Sequence, residues 1–240
     1  MTIGQILRRA GATGRGLFVW LLLIGCSPVA GAAVDPWQRE IDALIAADAA
    51  HPPQHGVLFV GSSSIRLWST LAADFPGIPV VNRGFGGSRI EDATRNVARL
   101  VSPYHPNVVV LYAGDNDIAE GRSSRQVLAD FEAFVASVRQ ESPRTPILYL
   151  SIKPSVARFA LWPRMREANE MIGAWARGRR DIVMIDVTKT MLDAVGQPRP
   201  ELLQPDGLHM RPAGYAIWIE ALQPVLARYG FVSATRRVSR

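Results

Sequence analysis

Short apolar runs alternate along the chain with longer stretches in which apolar residues recur at helical spacing. Each apolar run is followed by glycine or by polar residues, a pattern typical of strands buried on both faces of a parallel sheet. The predicted strands are residues 57–60, 78–81, 108–112, 147–150 and 182–185. The predicted helices are residues 35–50, 89–101, 122–141, 164–178 and 212–228. The alternation predicts one α/β domain, a three-layer α/β/α sandwich around a five-stranded parallel sheet.

The first 32 residues are typical of an export signal rather than of a folded element. Residues 1–16 contain three arginines and no acidic residue, and residues 17–25 form an uninterrupted apolar run. This run is shorter than the roughly 20 residues that a membrane-spanning helix needs, so the segment resembles a secretory signal peptide. Cleavage after the small residues 30–32 gives a soluble mature protein. Residues 23–26 instead resemble the bacterial lipobox, in which Cys26 is lipidated. Both alternatives predict an exported bacterial protein, which is periplasmic, secreted, or anchored to the membrane as a lipoprotein.

Beyond the leader, the chain is interpreted as one domain with short extensions. Residues 33–54 form a lead-in with the first helix, residues 55–230 the α/β domain, and residues 231–240 a basic tail. The formal net charge is +6, and loss of the leader removes three arginines and no acids, which leaves +3. Since the remaining arginines are scattered without interleaved aromatic residues, no nucleic-acid partner is predicted. Cys26 is the only cysteine, which excludes an intrachain disulfide and a multi-cysteine zinc site.

Polar residues follow the predicted strands at the edge of the sheet where α/β proteins place their sites. These segments are residues 61–64, 84–88, 113–117, 151–153 and 206–209. The glycines at 84 and 86 suit a dinucleotide fingerprint, but the third position holds Arg89, so the fingerprint fails.

Possible metal ligands have the wrong spacing. Asp115 and Asp117 do not fit a calcium loop. His51 and His55 are separated by prolines that prevent a shared helical face. Neither a cofactor nor a metal is therefore predicted.

The same segments contain the parts that acyl transfer needs: a nucleophile, a base, an orienting acid and donors for an oxyanion. Three serines, residues 62–64, occupy the first strand-to-helix turn. Asp206 precedes His209 by three residues at a turn, a spacing that can hold the imidazole in one tautomer. Asn116 and Gly87 add N–H donors. Each feature alone has a structural explanation, such as a helix-capping serine. Together, on one sheet edge, they favour a catalytic site.

At these residues the chain resembles a known family, the SGNH hydrolases or GDSL-type esterases and lipases. Within it, the likeness is to the bacterial branch related to platelet-activating-factor acetylhydrolase subunits. The matching blocks are residues 60–65 (VGSSSI), the glycine-rich loop after Asn82, Gly114-x-Asn116-Asp117 and Asp206-x-x-His209. The resemblance covers about residues 55–228. It implies a flavodoxin-like fold and a catalytic triad of Ser63, Asp206 and His209. It also implies an oxyanion hole formed by Ser63, Gly87 and Asn116.

One position departs from the family pattern. Ser62 stands where the family usually has an aspartate before the nucleophile. That aspartate is not a member of the triad, so its absence leaves the chemistry intact but changes hydrogen bonding in the loop. It also makes the choice of Ser63 among three serines depend on the alignment. Ser62 and Ser64 are expected to cap the following helix or to face inward.

The resemblance implies a serine esterase that hydrolyses small or short-chain carboxylic esters through an acyl-enzyme. Its partner would be a small-molecule, acylated-glycan or lipid ester, with a membrane tether if Cys26 is lipidated. Two alternatives remain open. One is an acyltransferase or deacetylase of O-acetylated polysaccharide or peptidoglycan. The other is a non-catalytic envelope protein that binds glycan or lipid.

Two groups of side chains near the strand ends bear on the substrate, and each has a structural alternative. The aromatic group lines an acyl or sugar pocket, or belongs to the core. It consists of Trp68, Phe85, Tyr112 and Trp162. The cationic group binds an anion, or forms surface ion pairs. It consists of Arg83, Arg89 and Lys153.

Overall fold

Every predicted apolar run contributes to a strand of one parallel sheet in the computed structural model, which describes residues 35–234. The strands are β1 (Val57–Gly61), β2 (Val80–Gly84), β3 (Val108–Tyr112), β4 (Ile147–Leu150) and β5 (Ile182–Ile185). Their order in the sheet is β2-β1-β3-β4-β5, and all neighbours are parallel. This is the flavodoxin-like order, in which β2 lies on one side of β1 and the later strands are added on the other side. The predicted fold class is confirmed.

Helices cover both faces of the sheet. Those on the first face are α1 (Gln38–Ala46), α4 (Ile90–Arg95), α5 (Val97–Leu100), α7 (Ser124–Glu141) and α8 (Trp162–Ala176). Those on the second face are α2 (Ser63–Arg66), α3 (Leu71–Asp74), α9 (Thr188–Met191) and α10 (Pro212–Ala227). Another short helix, α6 (Asp115–Ala119), follows β3, and single 3₁₀ turns span Ser102–Tyr104, Phe159–Leu161 and Pro200–Leu202.

The two hydrophobic cores follow from the alternation of side chains along each strand. In β1, Leu58 and Val60 face one core, while Val57 and Phe59 face the other, and all four are buried. Strands that bury both faces need uninterrupted apolar sequence, which explains why these runs show no polar alternation. The sheet therefore serves as a rigid platform whose carboxyl edge carries the loops.

The second strand lies further along the chain than predicted. The expectation was residues 78–81, and the strand is Val80–Gly84. Pro79 has no N–H, but its carbonyl accepts a hydrogen bond from Val57 N at 2.8 Å, so regular pairing starts at the next residue. Pairing then continues to Arg83 and Gly84, opposite the end of β1. The polar side chains of this strand have partners within the fold: Asn82 Nδ2 donates to the Ile65 carbonyl at 2.7 Å, and Arg83 pairs with Asp48.

The helix predicted over residues 89–101 is two short helices that meet at Asn96. The backbone of Asn96 leaves the helical region, with φ −108° and ψ 10°. Its side-chain amide donates to the Asp92 carbonyl at 3.0 Å and to the Asp35 carboxylate at 2.9 Å. An asparagine that binds nearby backbone in this way competes with the helical hydrogen bonds. The first helix is also shorter than predicted, Gln38–Ala46 instead of 35–50.

No helix within residues 35–234 combines the length and the apolar character needed to cross a membrane. The predicted leader, residues 1–32, and residues 235–240 of the predicted tail lie outside the described residues. The division of the chain into leader, lead-in, domain and tail stays a prediction.

Candidate active site

The turn after β1 presents one of the three serines to the surface. Gly61 has φ +143°, and a side chain at that position would overlap the backbone carbonyl of Tyr112 on the neighbouring strand. The chain can therefore turn sharply only with glycine here. Ser62 and Ser64 are buried, as expected for inward-facing residues, and only Ser63 is partly exposed. Ser62 holds the N-cap position of α2, but its hydroxyl makes no capping hydrogen bond.

Ser63, His209 and Asp206 form a continuous chain of hydrogen bonds. Ser63 Oγ lies 2.9 Å from Nε2 of His209. Nδ1 of the same ring lies 2.6 Å from Oδ2 of Asp206. The serine and the histidine are 146 positions apart in the sequence, and the sheet brings them together at its carboxyl edge. The arrangement matches a nucleophile, a base and an orienting acid in geometry.

The turn that carries Asp206 holds its carboxylate by several donors at once. Oδ1 accepts from the backbone N–H of Leu208 at 2.9 Å and of His209 at 3.0 Å. The hydrogen bond to the His209 ring, followed by these backbone N–H groups, lowers the pKa of Asp206 to about 2. The carboxylate is therefore ionised throughout the neutral range and can orient the imidazole there.

Gly87 follows β2 and Asn116 follows β3, and the two residues are neighbours in the structure. A side chain at Gly87, which is exposed, would have its Cβ 3.8 Å from Nδ2 of Asn116. Nδ2 donates to the carbonyl of Ser88 at 3.0 Å. This bond uses one of the two amide hydrogens and fixes the direction of the other. The carboxyl ends of β2 and β3 thus bring Gly87 and the Asn116 amide together.

Asp117, the residue after Asn116, connects the loop after β3 to the loop after β2. Its Oδ1 accepts from the backbone N–H of Ile90 at 3.1 Å, at the start of α4. Burial raises the pKa of Asp117 to about 7, against the opposing effect of the Ile90 N–H. Asn116 and Asp117 together hold the Phe85–Arg89 loop against the end of β3.

Lys153 lies inside the protein, against the turn that carries Asp206 and His209. It is buried, and Nζ donates to the carbonyl of Leu208 at 2.7 Å. In the same region, the N–H of Ala157 donates to the carbonyl of Gly207 at 3.0 Å. Burial lowers the pKa of Lys153, and the Asp115 carboxylate partly offsets this effect. The loop after β4 therefore supports the turn between Asp206 and His209 from the inside.

The two other candidate cations, Arg83 and Arg89, face protein carboxylates. Arg83 is buried, pairs with Asp48, and lies over the Tyr104 ring at 4.5 Å. Arg89 pairs with Glu91 at 2.8 Å and with further acidic side chains. Both guanidinium groups are thus paired within the protein, which agrees with the ion-pair alternative, although the pair of Arg83 is buried.

All four candidate pocket aromatics belong to the core. Trp68, Phe85 and Tyr112 are at most 1% exposed, and Trp162 is 9% exposed. Four cavities of 340 to 650 Å³ lie elsewhere among residues 35–234, and none of them is lined by Ser63, Asn116 or His209.

Two supporting residues escaped the sequence analysis. The hydroxyl of Tyr215 on α10 donates to the carbonyl of Ser64 at 2.9 Å and so holds the nucleophile turn. A carboxylate oxygen of Glu40 on α1 accepts from the backbone N–H of Gly86 at 2.9 Å. In the sequence, Tyr215 is recognisable only as part of the apolar face of a helix, and nothing marks Glu40. Both contacts join distant parts of the chain, so no local pattern indicates them.

Comparison with known proteins identifies the site's relatives. The model of the GDSL-like Lipase/Acylhydrolase family matches residues 55–217. A search of curated proteins finds no match.

Solved structures share the fold at low sequence identity. One, from Streptococcus pneumonia and provisionally designated a platelet activating factor, is 23% identical with a TM-score of 0.71, covering 79% of this chain and 92% of that one. A GDSL-like lipase from Bacteroides thetaiotaomicron is 19% identical with a TM-score of 0.67, covering 81% and 98%. A carbohydrate esterase family 3 protein from Talaromyces cellulolyticus is 18% identical with a TM-score of 0.57, covering 75% and 100%.

Proposed function

Because the chain belongs to the GDSL-like lipase/acylhydrolase family and is a carboxylic ester hydrolase, we propose that it cleaves small, short-acyl esters through an acyl-enzyme on Ser63. The observation that carries the proposal is the hydrogen-bonded series from Ser63 through His209 to Asp206, with distances of 2.9 and 2.6 Å. A serine hydroxyl is a weak nucleophile until a base takes its proton, and this series supplies the base.

In the first step, Oγ of Ser63 attacks the ester carbonyl carbon while Nε2 of His209 takes the hydroxyl proton. The carbonyl oxygen becomes an oxyanion. It accepts hydrogen bonds from the backbone N–H groups of Ser63 and Gly87 and from the side-chain amide of Asn116. Donors that are already fixed where the charge develops stabilise the transition state without reorganising.

In the second step, the tetrahedral intermediate collapses and the C–O bond to the alcohol breaks. The leaving alkoxide takes the proton from Nε2 of His209, and the acyl group stays on Ser63. Water then attacks the acyl carbon while His209 accepts its proton. The bond to Oγ of Ser63 breaks as His209 returns that proton to Oγ, which releases the carboxylic acid and restores the serine. Asp206 keeps the ring oriented and stabilises its charged form in both halves of the reaction.

The packing of the candidate aromatic residues supports a short acyl group. The aromatic residues that could have formed a long acyl channel are packed in the core. Likeness to a carbohydrate esterase supports sugar esters as one class of substrate. The leader sequence supports a substrate outside the cytoplasm, met by an exported protein that is soluble or tethered through Cys26.

The test is hydrolysis of p-nitrophenyl acetate and butyrate by the wild type and by Ser63→Ala. We expect Ser63→Ala to lose both hydrolysis and covalent labelling by a fluorophosphonate, with acetate preferred over longer esters by the wild type. Ser62→Ala and Ser64→Ala are matched controls, since both serines are adjacent and buried, and both should remain labelled.

Labelling that persists in Ser63→Ala and disappears in one of the control variants would show that the serine replaced in that control, and not Ser63, is the nucleophile. Loss of labelling in all variants of a folded protein would argue against an acyl-enzyme. Release of less acid than p-nitrophenol in the presence of a sugar acceptor would show acyl transfer in place of hydrolysis.

A further inference from the structure

Helix α1 reaches the proposed site although it precedes the part of the chain that matches the family. Oε2 of Glu40 accepts from the backbone N–H of Gly86 at 2.9 Å. Oε1 of the same carboxylate lies 3.5 Å from Nε of Arg66. Arg66 is the last residue of α2, the helix that Ser63 begins. One carboxylate therefore lies between the loop that carries Gly87 and the helix that carries the nucleophile.

Trp37, just before α1, holds the same loop from its side. Gly86 is buried against the indole, and a side chain at this position would overlap the ring. The indole also packs edge-on against Phe85, with the ring centres 6.2 Å apart. Gly86 has φ +32°, a conformation that other residues rarely adopt. The loop thus passes over Trp37 in a form that only glycine permits.

Two consecutive glycines, Gly86 and Gly87, need such support. Glycine has more backbone freedom than any other residue, so an unsupported pair would let the Gly87 N–H point in several directions. An oxyanion donor contributes fully only when its direction is fixed before the reaction. The Glu40 carboxylate and the Trp37 ring restrict the residue directly before the proposed donor.

We propose that Glu40 is a positioning residue for ester hydrolysis: through Gly86 it fixes the Gly87 N–H, and through Arg66 it fixes the helix of Ser63. This rests on the proposed function, in which Gly87 supplies an oxyanion donor. Glu40 precedes residue 55, where the match to the family model begins.

A purely structural role predicts a different result. The side chains of Glu40 and Arg66 are 32% and 46% exposed, and exposed ion pairs add little to stability. The carboxylate should therefore matter more for the rate of the chemical step than for folding. Since an oxyanion donor acts on the transition state, kcat should fall while KM changes little.

The test compares Glu40→Ala, Glu40→Gln and Asp42→Ala with the wild type, using p-nitrophenyl acetate. Asp42 is the matched control, because it lies on the same helix and binds Gln38 and Arg99 without touching the loop. We expect Glu40→Ala to lower kcat about tenfold or more, with KM within about twofold. The rate of inactivation by a fluorophosphonate should fall in parallel, since that reaction uses the same donors. Glu40→Gln should keep most of the activity, because its amide oxygen still accepts from Gly86.

Three results would overturn the proposal. The first is a kcat for Glu40→Ala equal to that of Asp42→Ala. The second is a lower melting temperature with an unchanged kcat per labelled active site, which indicates a structural role alone. The third is hydrolysis that survives in Ser63→Ala, measured alongside, and that result removes the proposed function together with this one. Loss of activity in Ser63→Ala with no effect of Glu40→Ala overturns only the role of Glu40.

Discussion

Asn116 uses its amide in two directions, and this makes its contribution measurable. Nδ2 donates one hydrogen to the Ser88 carbonyl, 3.0 Å away, and in the proposed mechanism the other hydrogen binds the oxyanion. Removing one such donor typically costs about 3 kcal/mol of transition-state stabilisation, or a hundredfold or more in rate. We expect Asn116→Ala to lower kcat by this amount on p-nitrophenyl acetate, with KM nearly unchanged. Asn107→Ala is the control, because Asn107 is exposed and precedes β3, at the edge of the sheet opposite to the site. An unchanged kcat would remove Asn116 from the oxyanion hole.

Asp117 predicts how stability depends on pH. Its pKa is raised from 3.8 to about 7, with burial as the main cause. Between these two values the folded state holds a proton that the unfolded state has released. Stability from this group therefore falls as pH rises from about 4 to about 7, and the cost of the buried charge persists above that range. The total change is a few kcal/mol, since one pKa unit corresponds to about 1.4 kcal/mol.

Asp117→Asn should remove this dependence while keeping an oxygen that accepts from Ile90. When the pH is raised from 5 to 8, we expect the unfolding free energy of the variant to change more favourably than that of the wild type, because the cost of ionising Asp117 is absent. Urea unfolding at both pH values measures it. Glu220→Gln on the exposed side of α10 serves as the control and should leave the profile unchanged. A profile for Asp117→Asn that parallels the wild type would show that Asp117 is not the titrating group.

At the scale of elements, the nucleophile turn depends on the close approach of β1 to β3. Gly61 ends β1 with φ +143°, and any side chain there would overlap the Tyr112 carbonyl. Backbone cannot move aside as a flexible side chain does, so the strands would have to separate. We expect Gly61→Ala to prevent folding or to destabilise the protein severely, by several kcal/mol.

Gly121 provides a comparison that separates overlap from backbone strain. It has φ +97°, but a side chain there would meet nothing within 4 Å. Gly121→Ala should therefore cost only the conformational strain, about 1–2 kcal/mol. Thermal or urea unfolding of the two variants tests the difference. Equal stability of the two variants would show that contact with β3 does not decide the conformation of the turn.

At the scale of the whole molecule, the sheet brings the loops to one edge, and the leader is proposed to deliver the domain to the cell envelope. The lipobox alternative makes Cys26 the attachment point of a lipid. If it is correct, the full-length protein expressed in a bacterium should fractionate with membranes and incorporate labelled palmitate. Cys26→Ala should abolish labelling. Soluble wild-type protein without label would favour cleavage after residue 32, with Ala32→Leu as the variant expected to block that cleavage.

The sequence alone was sufficient for the fold class, the order of the strands along the chain, and the segments at which chemistry was expected. These features are encoded locally, because burial on both faces demands continuous apolar runs and sharp turns demand glycine. Even so, β2 was placed too early, since Pro79 interrupts the apolar run and the strand continues through Asn82 and Arg83, whose polar side chains find partners in distant segments. The choice of Ser63 was made from a motif, and the structure places its hydroxyl beside His209.

Tertiary structure alone decided which residues support that motif. Lys153 was a candidate for an anion site or for a surface ion pair, and it binds the Leu208 carbonyl inside the protein. Glu40 carried no signal in the sequence, and it binds the Gly86 N–H from 46 residues away. Trp68 and Tyr112 were candidates for a pocket, and they fill the core. Contacts of this kind depend on the packing of distant segments, and a local pattern contains no record of which distant atom a side chain will meet.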